Sequence, residues 1–342
     1  ALVDLAGPSS HTAAVDRKYF PGKPPFATRV ARTVFIHSLE QTVTSGAGRS
    51  EWIMGTLRPS ESVSILETAL LESERVCWHL SFDGTRWRFH IEPNVTAILE
   101  EEKANVQNTR VAQVMDDRVQ KAFGNDAAIT SNIYPAGPAG VPDESVLRLV
   151  VIDPDQRTVT GRQADEPDQL LIDILDHKGQ DKTPRVFRNS LVFVVADTDQ
   201  RPLLEDKVRA SIAADSIAKD AQRMAQFSDD VRKKVKAFQD AAQLDLRIAV
   251  TRCFKHVYYP TTDKNHGHLR HRELPAQQQG DTRSGTAVVA TVLLDESKIK
   301  DSAVSYDWIQ AKAWPDTKDV VTTEELRQWF WRDHGSPIFR NI

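Results

Sequence analysis

Residues 60–91 have the sequence SESVSILETALLESERVCWHLSFDGTRWRFHI, in which a helical pattern is followed by two alternating segments. Ser60 has the side chain of an N-cap, and the helical pattern continues to about Glu74. The apolar residues of this pattern are Val63, Leu66, Leu70 and Leu71. They recur at helical spacing, which predicts an amphipathic helix with one buried face.

The second half of this stretch predicts a β-hairpin. Apolar and polar residues alternate over 76–82 and again over 86–91, and Asp83-Gly84 between them is a strong turn signal. Upstream, apolar spacing predicts a helix within 27–44 and a short helix over 50–57. Three helices followed by a hairpin are the order of a winged-helix unit, which we therefore predict.

The rest of the chain divides by composition into further parts. We expect an extended lead-in over 1–26, then a lid-like helix, the winged helix and a long charged helix over 27–125. Pro and Gly are frequent in 125–141, which predicts a linker. An α/β domain with long helices is expected over 142–260, and a loop with a helical C-terminal module over 261–342. The predicted fold class is α/β and multidomain.

Two apolar runs, 146–151 and 189–195, predict the strands of the α/β domain. A short helix over 170–175 lies between them, which favours a βαβ arrangement with buried parallel strands. Asp153 and Asp197 follow the two strands. An enzyme that uses these carboxylates is a further hypothesis, and it requires a pocket at the carboxyl ends of the strands.

Residues 203–258 have a helical pattern, with Ser228 as an internal N-cap. A helix is predicted over 286–294. Thr322 and Glu325 have the spacing of a capping box at the start of a final helix.

Composition excludes several classes of protein. The 342 residues include 44 Lys and Arg against 48 Asp and Glu, a net charge of −4, so the molecule as a whole has no strong positive field. The sequence has no apolar run long enough for a transmembrane helix. Cys77 and Cys253 are far apart, which favours a reducing, cytoplasmic location. The first residue is not Met, so we expect a piece of a longer protein.

A nucleotide site is not predicted within this chain. The nearest match to a phosphate-binding loop is Gly46-Ala47-Gly48-Arg49-Ser50, which has Arg where the motif needs Lys. The motif's upstream Gly is replaced by Val43, and the segment follows a helix rather than a strand. A loop between helices is the favoured interpretation.

Metal and thiol chemistry receive weak support from the sequence. His266, His268 and His271 are close together, with His256 upstream, but the sequence shows no carboxylate or Cys at good spacing to complete a zinc set. We favour a solvated hairpin or loop and assign no metal ligands. Cys253 and His256 are three apart on a predicted helix and could touch, although packing of Cys253 in an apolar stripe is favoured.

Nucleic-acid contact is a candidate function of the hairpin. Its outer face is predicted to carry His79, Arg86, Arg88 and His90, side chains that suit phosphates. A second basic cluster lies at 232–236, where the solvated face of a helix is the simpler interpretation.

The charges of the helix before the hairpin argue against insertion of this helix into a DNA groove. Its carboxylates are Glu61, Glu67, Glu72 and Glu74. They would repel a phosphate backbone, so a winged helix that docks proteins is the alternative.

Several segments together resemble a family of large bacterial predicted ATPases of the AAA+ type. The segments are ARTVFIHSL at 31–39, FHIEPN at 89–94, FRNSLVFVV at 187–195 and Tyr259-Pro260. The resemblance spans most of 27–260. The family is classed as a domain of unknown function and is often encoded in phage-defence islands.

The resemblance implies that this chain is the C-terminal part of such a protein, whose phosphate-binding core would be supplied in cis. ATP and Mg²⁺ are then expected for the parent protein, and no cofactor for this chain. By analogy with AAA+ lids, Arg29 or Arg32 would sense the nucleotide, and Arg188 would act across an interface. Pairing of Arg188 within the fold is the alternative.

The leading hypothesis is therefore a non-catalytic region of an AAA+-like ATPase. It would dock DNA through the wing, or protein subunits of a defence system, and couple docking to the missing core. The alternative is a pure protein-interaction scaffold without a nucleic-acid role. No membrane association is expected.

Overall fold

The computed structural model describes residues 9–39, 45–90, 94–126, 129–278, 280–301, 304–315 and 317–339. The chain forms two compact units. Unit 1 contains Ala1–Val111 and Arg209–Gln243, and unit 2 contains Ala112–Val208 and Leu244–Ile342. Helices and strands occur in both units, which confirms the predicted α/β class. Within the described residues, no helix has the length and apolar character needed to cross a membrane.

Unit 1 begins with helices and a small sheet. Its elements are α1 His11–Tyr19, α2 Phe26–Ser38, β1 Ala47–Gly48, α3 Arg49–Thr56, α4 Val63–Val76, β2 Leu80–Phe82, β3 Arg86–Phe89 and α5 Val95–Asn105. The sheet has the order β1-β3-β2, and both pairings are antiparallel. Helix α6, Asn108–Phe123, begins in this unit.

One hydrophobic core holds these elements together. Val30 and Val34 of α2 pack with Leu66 and Leu70 of α4, and Trp87 of β3 joins the same core. The hairpin turn is the predicted one. Gly84 has φ +97°, and the Asp83 carboxylate accepts hydrogen bonds from the backbone amides of Thr85 and Arg86. The local pattern of 60–91 is therefore confirmed, although Ser62 rather than Ser60 caps α4.

Two predictions for unit 1 are wrong. The described part of the expected extended lead-in contains α1, because Ser10 caps a helix whose Val15 is buried in the core. Asp16 of that helix accepts hydrogen bonds from the amides of Ala27 and Thr28 at the start of α2. The expected long helix is divided into α5 and α6 at Val106, whose backbone is extended. Residues 40–44 of the predicted first helix lie outside the described residues.

The second half of the chain supplies the larger sheet and the long helices. Its strands are β4 Thr130–Ile133, β5 Arg148–Val151, β6 Thr158–Val159, β7 His177–Lys178, β8 Thr183–Pro184, β9 Leu191–Asp197, β10 His256–Pro260, β11 Leu269–Glu273, β12 Ile299–Lys300 and β13 Ile338–Phe339. Its helices are α7 Gln169–Asp176, α8 Arg201–Lys219, α9 Ala221–Gln226, α10 Asp229–Cys253, α11 Gly285–Asp295, α12 Tyr306–Lys312 and α13 Thr323–Arg332.

The main sheet of unit 2 has the order β11-β10-β9-β5-β4, with β6 paired to β9. Strands β4, β5 and β9 are parallel, and β10 and β11 run antiparallel to them. Every residue of β9 is buried, as are those of β10, so these strands lie inside the sheet. The predicted parallel pairing of the runs 146–151 and 189–195 is confirmed.

Two further predictions need correction. The expected linker 125–141 contains β4, which pairs along its whole length with β5 and so belongs to the sheet. The helical pattern of 203–258 ends at Cys253, and His256–Pro260 forms β10 instead. Tyr258 and its neighbours are buried beside β9, where a strand satisfies their backbone groups and a helix could not pair. The predicted caps at Ser228 and at Thr322 with Glu325 are confirmed.

Candidate functional site

The predicted wing arginines are both engaged inside unit 1. The Arg86 guanidinium donates to the carbonyl oxygen of Gly46 at 2.7 Å and to the Glu51 carboxylate at 2.6 Å. Arg88 donates from Nε to the carbonyl oxygen of Ser45 at 3.0 Å. A hydrogen bond from the Gly48 amide and the Arg86 side chain lower the pKa of Glu51, so this partner is a carboxylate at neutral pH. Both guanidinium groups therefore join the hairpin to the segment before α3.

His79 and His90 lie opposite each other where the hairpin strands end. The His90 amide donates to the His79 carbonyl at 2.8 Å, and His79 Nδ1 lies 3.0 Å from the His90 carbonyl oxygen. The structure thus brings together these two predicted residues. They extend the strand pairing beyond Leu80 and Phe89.

The carboxylates near α4 do not form its most exposed face. Glu67 accepts from Arg49 at 2.8 Å, and Glu72 accepts from Arg75 at 2.8 Å. Glu74 accepts from a backbone amide of the hairpin. The exposed positions of α4 are Ser62, Ser64, Thr68, Leu71, Arg75 and Val76. These three carboxylates are therefore paired within unit 1, although the Glu67 side chain is still 42% exposed. Repulsion of a phosphate backbone by them stays a prediction.

The predicted nucleotide-sensing arginines lie in different surroundings. Arg29 donates to both carboxylate oxygens of Glu61, at 2.7 and 3.0 Å, and also to the Thr56 carbonyl. Arg188 in unit 2 lies 3.1 Å from the Asp176 carboxylate, which is the predicted alternative of pairing within the fold. Arg32 is exposed on α2. A sensing role for any of them stays a prediction.

A second group of polar residues lies on the main sheet of unit 2. The pairing of β10 with β11 places His256 opposite Glu273, and Tyr258 opposite His271. Directly opposite residues share one face of a sheet, and alternate residues along a strand do the same. His256, His271 and Glu273 therefore project from one face. We call these three residues the histidine cluster.

Asp197, at the end of β9, contacts His256 at Nε2, the ring nitrogen that faces away from His271. Its Oδ2 atom lies 3.1 Å from His256 Nε2 and 3.1 Å from Lys255 Nζ. Its Oδ1 atom accepts from the amides of Asp199 and Gln200 at 2.8 and 3.0 Å. Burial alone would raise the pKa of Asp197, but the hydrogen bonds from Lys255 and His256 outweigh it and hold the pKa below its ordinary value.

His271 faces His256 and has its own carboxylate. His256 Nδ1 and His271 Nε2 are 3.0 Å apart, and the Asp165 carboxylate lies 3.3 Å from His271 Nδ1. A carboxylate oxygen of Glu273 lies 3.8 Å from His256 Nδ1. One ligand atom from each member of the cluster lies within 4.8 Å of the others. Burial lowers the pKa of both histidines, which favours neutral imidazoles at neutral pH.

The sequence predictions found only part of this site. His271 comes from the predicted histidine-rich loop, but it lies on a strand, and His268 instead contacts the ring of His334. The carboxylate thought to be missing is Glu273, two residues after His271. Alternation in LRHRE, residues 269–273, is the sequence signal that places these two side chains on one face.

Cys253 is buried, as the favoured interpretation of the sequence predicts. Its sulfur lies 4.0 Å from the carbonyl oxygen of Asp197, at the end of α10. Burial raises the pKa of Cys253 to about 12, so the residue is a buried thiol and not an activated nucleophile.

The two predicted strand-end carboxylates differ. Asp153 accepts a hydrogen bond from the amide of Asp155 at 2.8 Å and forms a turn. Asp197 is buried and contacts His256 of the histidine cluster. The glycine-rich segment also has a structural role. Ala47 and Gly48 form β1, and Arg49 begins α3.

Comparison of the chain with protein-family models, with curated proteins and with solved structures gives no match. The arguments that follow rest on the geometry of the two regions described above.

Proposed function

We propose that residues 26–89 form a winged-helix module whose task is non-catalytic docking of a protein partner. The observation that carries the proposal is the order α2-β1-α3-α4-β2-β3, with β1 paired to β3 of the hairpin. Two helices followed by a third helix and a hairpin are the parts of a helix-turn-helix unit with a wing.

The charges of this module favour protein over nucleic acid as the partner. Contacts with DNA are dominated by Lys and Arg that reach phosphates. Arg86 and Arg88 instead donate hydrogen bonds to Glu51 and to backbone carbonyl oxygens of the same unit. Releasing them for phosphates would leave Glu51 without its cation.

The exposed side of α4 and the hairpin also carries apolar side chains. Leu71 is 53% exposed and Phe82 is 44% exposed, and Val76 at the end of α4 is exposed as well. Apolar side chains on the exposed side of a helix supply the buried contacts of a protein interface. The neighbouring hydroxyls of Ser64 and Thr68 suit its polar rim.

The parent protein, on this proposal, is a cytoplasmic bacterial ATPase of the AAA+ type, acting in phage defence. This chain would transmit docking to the ATPase core, which would hold ATP and Mg²⁺. Arg32 is the nucleotide-sensing candidate whose exposure suits contact with such a core. DNA docking through the wing is the second candidate, supported by the cationic side chains of the hairpin.

A DNA titration separates the two candidates. The chain would be titrated with labelled single- and double-stranded DNA at low and moderate salt, beside an Arg86→Glu/Arg88→Glu variant whose folding is checked by circular dichroism. We expect that the wild type and the variant do not differ in salt-dependent DNA binding. Salt-sensitive binding by the wild type, absent from a folded variant, would instead assign DNA as the partner.

The protein partner is tested with the ATPase core of the same parent, purified separately. Leu71→Glu places a charge at an exposed apolar position of the proposed surface, and we expect at least about a tenfold loss of affinity for the core. Val320→Glu, at an exposed apolar position in unit 2, is the matched control and should bind as the wild type does. Equal binding by all three proteins would contradict docking of the core through α4.

A further inference from the structure

We propose that His256, His271 and Glu273 form a binding site for one divalent transition-metal ion of the zinc class. The proposal concerns unit 2 and is independent of the docking role of unit 1. Its basis is the way in which the surrounding carboxylates fix the donor and acceptor atoms of the two imidazole rings.

Asp197 fixes the tautomer of His256. Both oxygens of this carboxylate already accept hydrogen bonds, from two backbone amides and from Lys255. Asp197 is an acceptor only, so His256 Nε2, at 3.1 Å, must carry the proton of that contact. In the neutral ring, Nδ1 is then left as an unprotonated lone pair.

Asp165 has the same effect on His271. This side chain is 87% exposed, and its carboxylate lies 3.3 Å from His271 Nδ1. Nδ1 therefore donates, and Nε2 keeps the lone pair.

These lone pairs point at each other across 3.0 Å, the separation of His256 Nδ1 and His271 Nε2. Two lone pairs at this distance repel unless a cation lies between them. A metal ion satisfies both at once, because ligand nitrogens that each lie about 2.0–2.1 Å from zinc are less than about 4.2 Å apart.

Glu273 completes the set with a charged oxygen. It lies opposite His256 in the sheet, and its Oε1 atom is 3.8 Å from His256 Nδ1, also within the reach of one ion. Two imidazoles and one carboxylate are a ligand set of three-ligand zinc sites and of non-haem iron sites. Asp197 and Asp165 behind the rings are the outer carboxylates that such histidines use.

The exposure of Glu273 opens one side of the site to water. His256 is fully buried and His271 is nearly so, whereas the Glu273 side chain is 49% exposed. The ion would therefore be reached from the side of Glu273, where water completes its coordination. Lys255 Nζ, 3.4 Å from Glu273 Oε1, lies beside that opening and limits the net negative charge of the site.

The experiment measures zinc binding by the full chain. After removal of metal with a chelator and dialysis, Zn²⁺ would be titrated by calorimetry at neutral pH, and the bound metal counted by mass spectrometry. We expect one zinc per chain. Glu273→Gln and His271→Ala should each weaken binding about 10–100-fold or more, and Asp165→Asn about tenfold.

His266→Ala is the matched control, since it removes a histidine that precedes β11 in the chain and lies outside the cluster. Its affinity for zinc should equal that of the wild type. Both variants leave the buried His256–Asp197 pair in place, and circular dichroism checks that each of them folds. Cobalt binding gives a second readout, because the visible spectrum of Co²⁺ reports nitrogen and oxygen ligands and should be lost in His271→Ala.

Two results would overturn the proposal. One is wild-type binding no tighter than that of Glu273→Gln and His271→Ala. The other is a shared proton: imidazole NMR signals of His256 and His271 that show one proton between the rings and do not move when Zn²⁺ is added.

Discussion

The hairpin of unit 1 and the histidine cluster of unit 2 are both antiparallel strand pairs that carry polar side chains, but they are assembled over very different distances along the chain. The hairpin forms within 76–90, and a two-residue turn sets its register. The cluster and its carboxylates come from positions between 165 and 273, on strands whose register depends on the whole sheet. The turn carboxylate of the hairpin, Asp83, lies at the surface, whereas Asp197 behind His256 is buried.

This difference has an energetic consequence. An exposed polar contact is in competition with water and contributes little to stability, whereas a buried charge whose partner is removed is costly. The charge on Asp83 at the hairpin turn is held by local amides, which lower its pKa to about 2. The charge on Asp197 is held by Lys255 and His256, which are almost sixty residues away in sequence.

The largest expected effect is therefore at Asp197. Asp197→Ala leaves His256 without a partner at Nε2 and removes the carboxylate from Lys255, so we expect the free energy of unfolding to fall by about 3–5 kcal/mol. Urea denaturation measures it. Asp197→Asn keeps an oxygen for the amides of Asp199 and Gln200 and should cost less. Equal and small losses in both variants would show that the buried charge has no special role.

The same contrast explains what the sequence could predict. Residues 60–91 contain their own helix periodicity, alternation and turn, so α4 and the hairpin followed from local patterns. The tautomer-fixing carboxylates did not, because Asp165 and Asp197 belong to segments far from β10 and β11. Only the side chains on one strand, His271 and Glu273, shared a local signal, the alternation of LRHRE.

Strand β10 shows a second reason for the limits of prediction. Its sequence HVYYP follows a long helical pattern without a Gly or Pro before it, so the end of α10 is not marked locally. Burial between β9 and β11 decides that His256–Pro260 is a strand. Pairing with neighbouring strands overrides the helical pattern of the sequence. His256 therefore lies beside Val195 and Glu273 of the sheet and not on a helix with Cys253.

The turn chemistry of unit 1 offers an intermediate effect and an internal control. Gly46 and Gly84 have φ of +93° and +97°, which disfavour any L side chain. A Cβ on Gly46 would also lie 2.5 Å from the Trp87 carbonyl oxygen, whereas a Cβ on Gly84 meets nothing within 4 Å. We expect Gly84→Ala to cost about 1 kcal/mol from backbone strain alone and Gly46→Ala about 3 kcal/mol.

Chemical denaturation of both glycine variants tests how much of the small sheet depends on β1. Since Gly46 precedes β1 and touches β3, the larger loss at Gly46 reports the pairing that joins the hairpin to the helices. Equal losses at the two positions would mean that β3 moves at little cost and that the hairpin is loosely attached to the helices.

Lys298 tests the burial of charge in unit 2 a second time. Its ammonium donates to the carbonyl oxygens of Pro260, at 2.8 Å, and His334, at 3.2 Å, and to the side-chain oxygen of Asn189. These acceptors are neutral, so burial lowers the pKa of Lys298 from its ordinary 10.5 to about 7. Between these values the unfolded chain holds a proton that the folded chain has lost.

Stability should therefore rise as the pH increases above about 7, by at most about 1.4 kcal/mol per pH unit for this group. The measurement is urea unfolding from pH 7 to 8.5 in the wild type and in Lys298→Met. Cys253 and the buried histidines add their own slopes within this range, but they do so in both proteins, so the difference between the two profiles isolates Lys298. Lys298→Met should be less stable at pH 8.5, because its three acceptors lose their donor, and its stability should rise less with pH than that of the wild type. A wild-type profile with the same slope as that of the variant would mean that the three oxygens keep Lys298 charged despite its burial. The contrast between surface charge in the hairpin and costly buried charge in unit 2 would then depend on Asp197 alone.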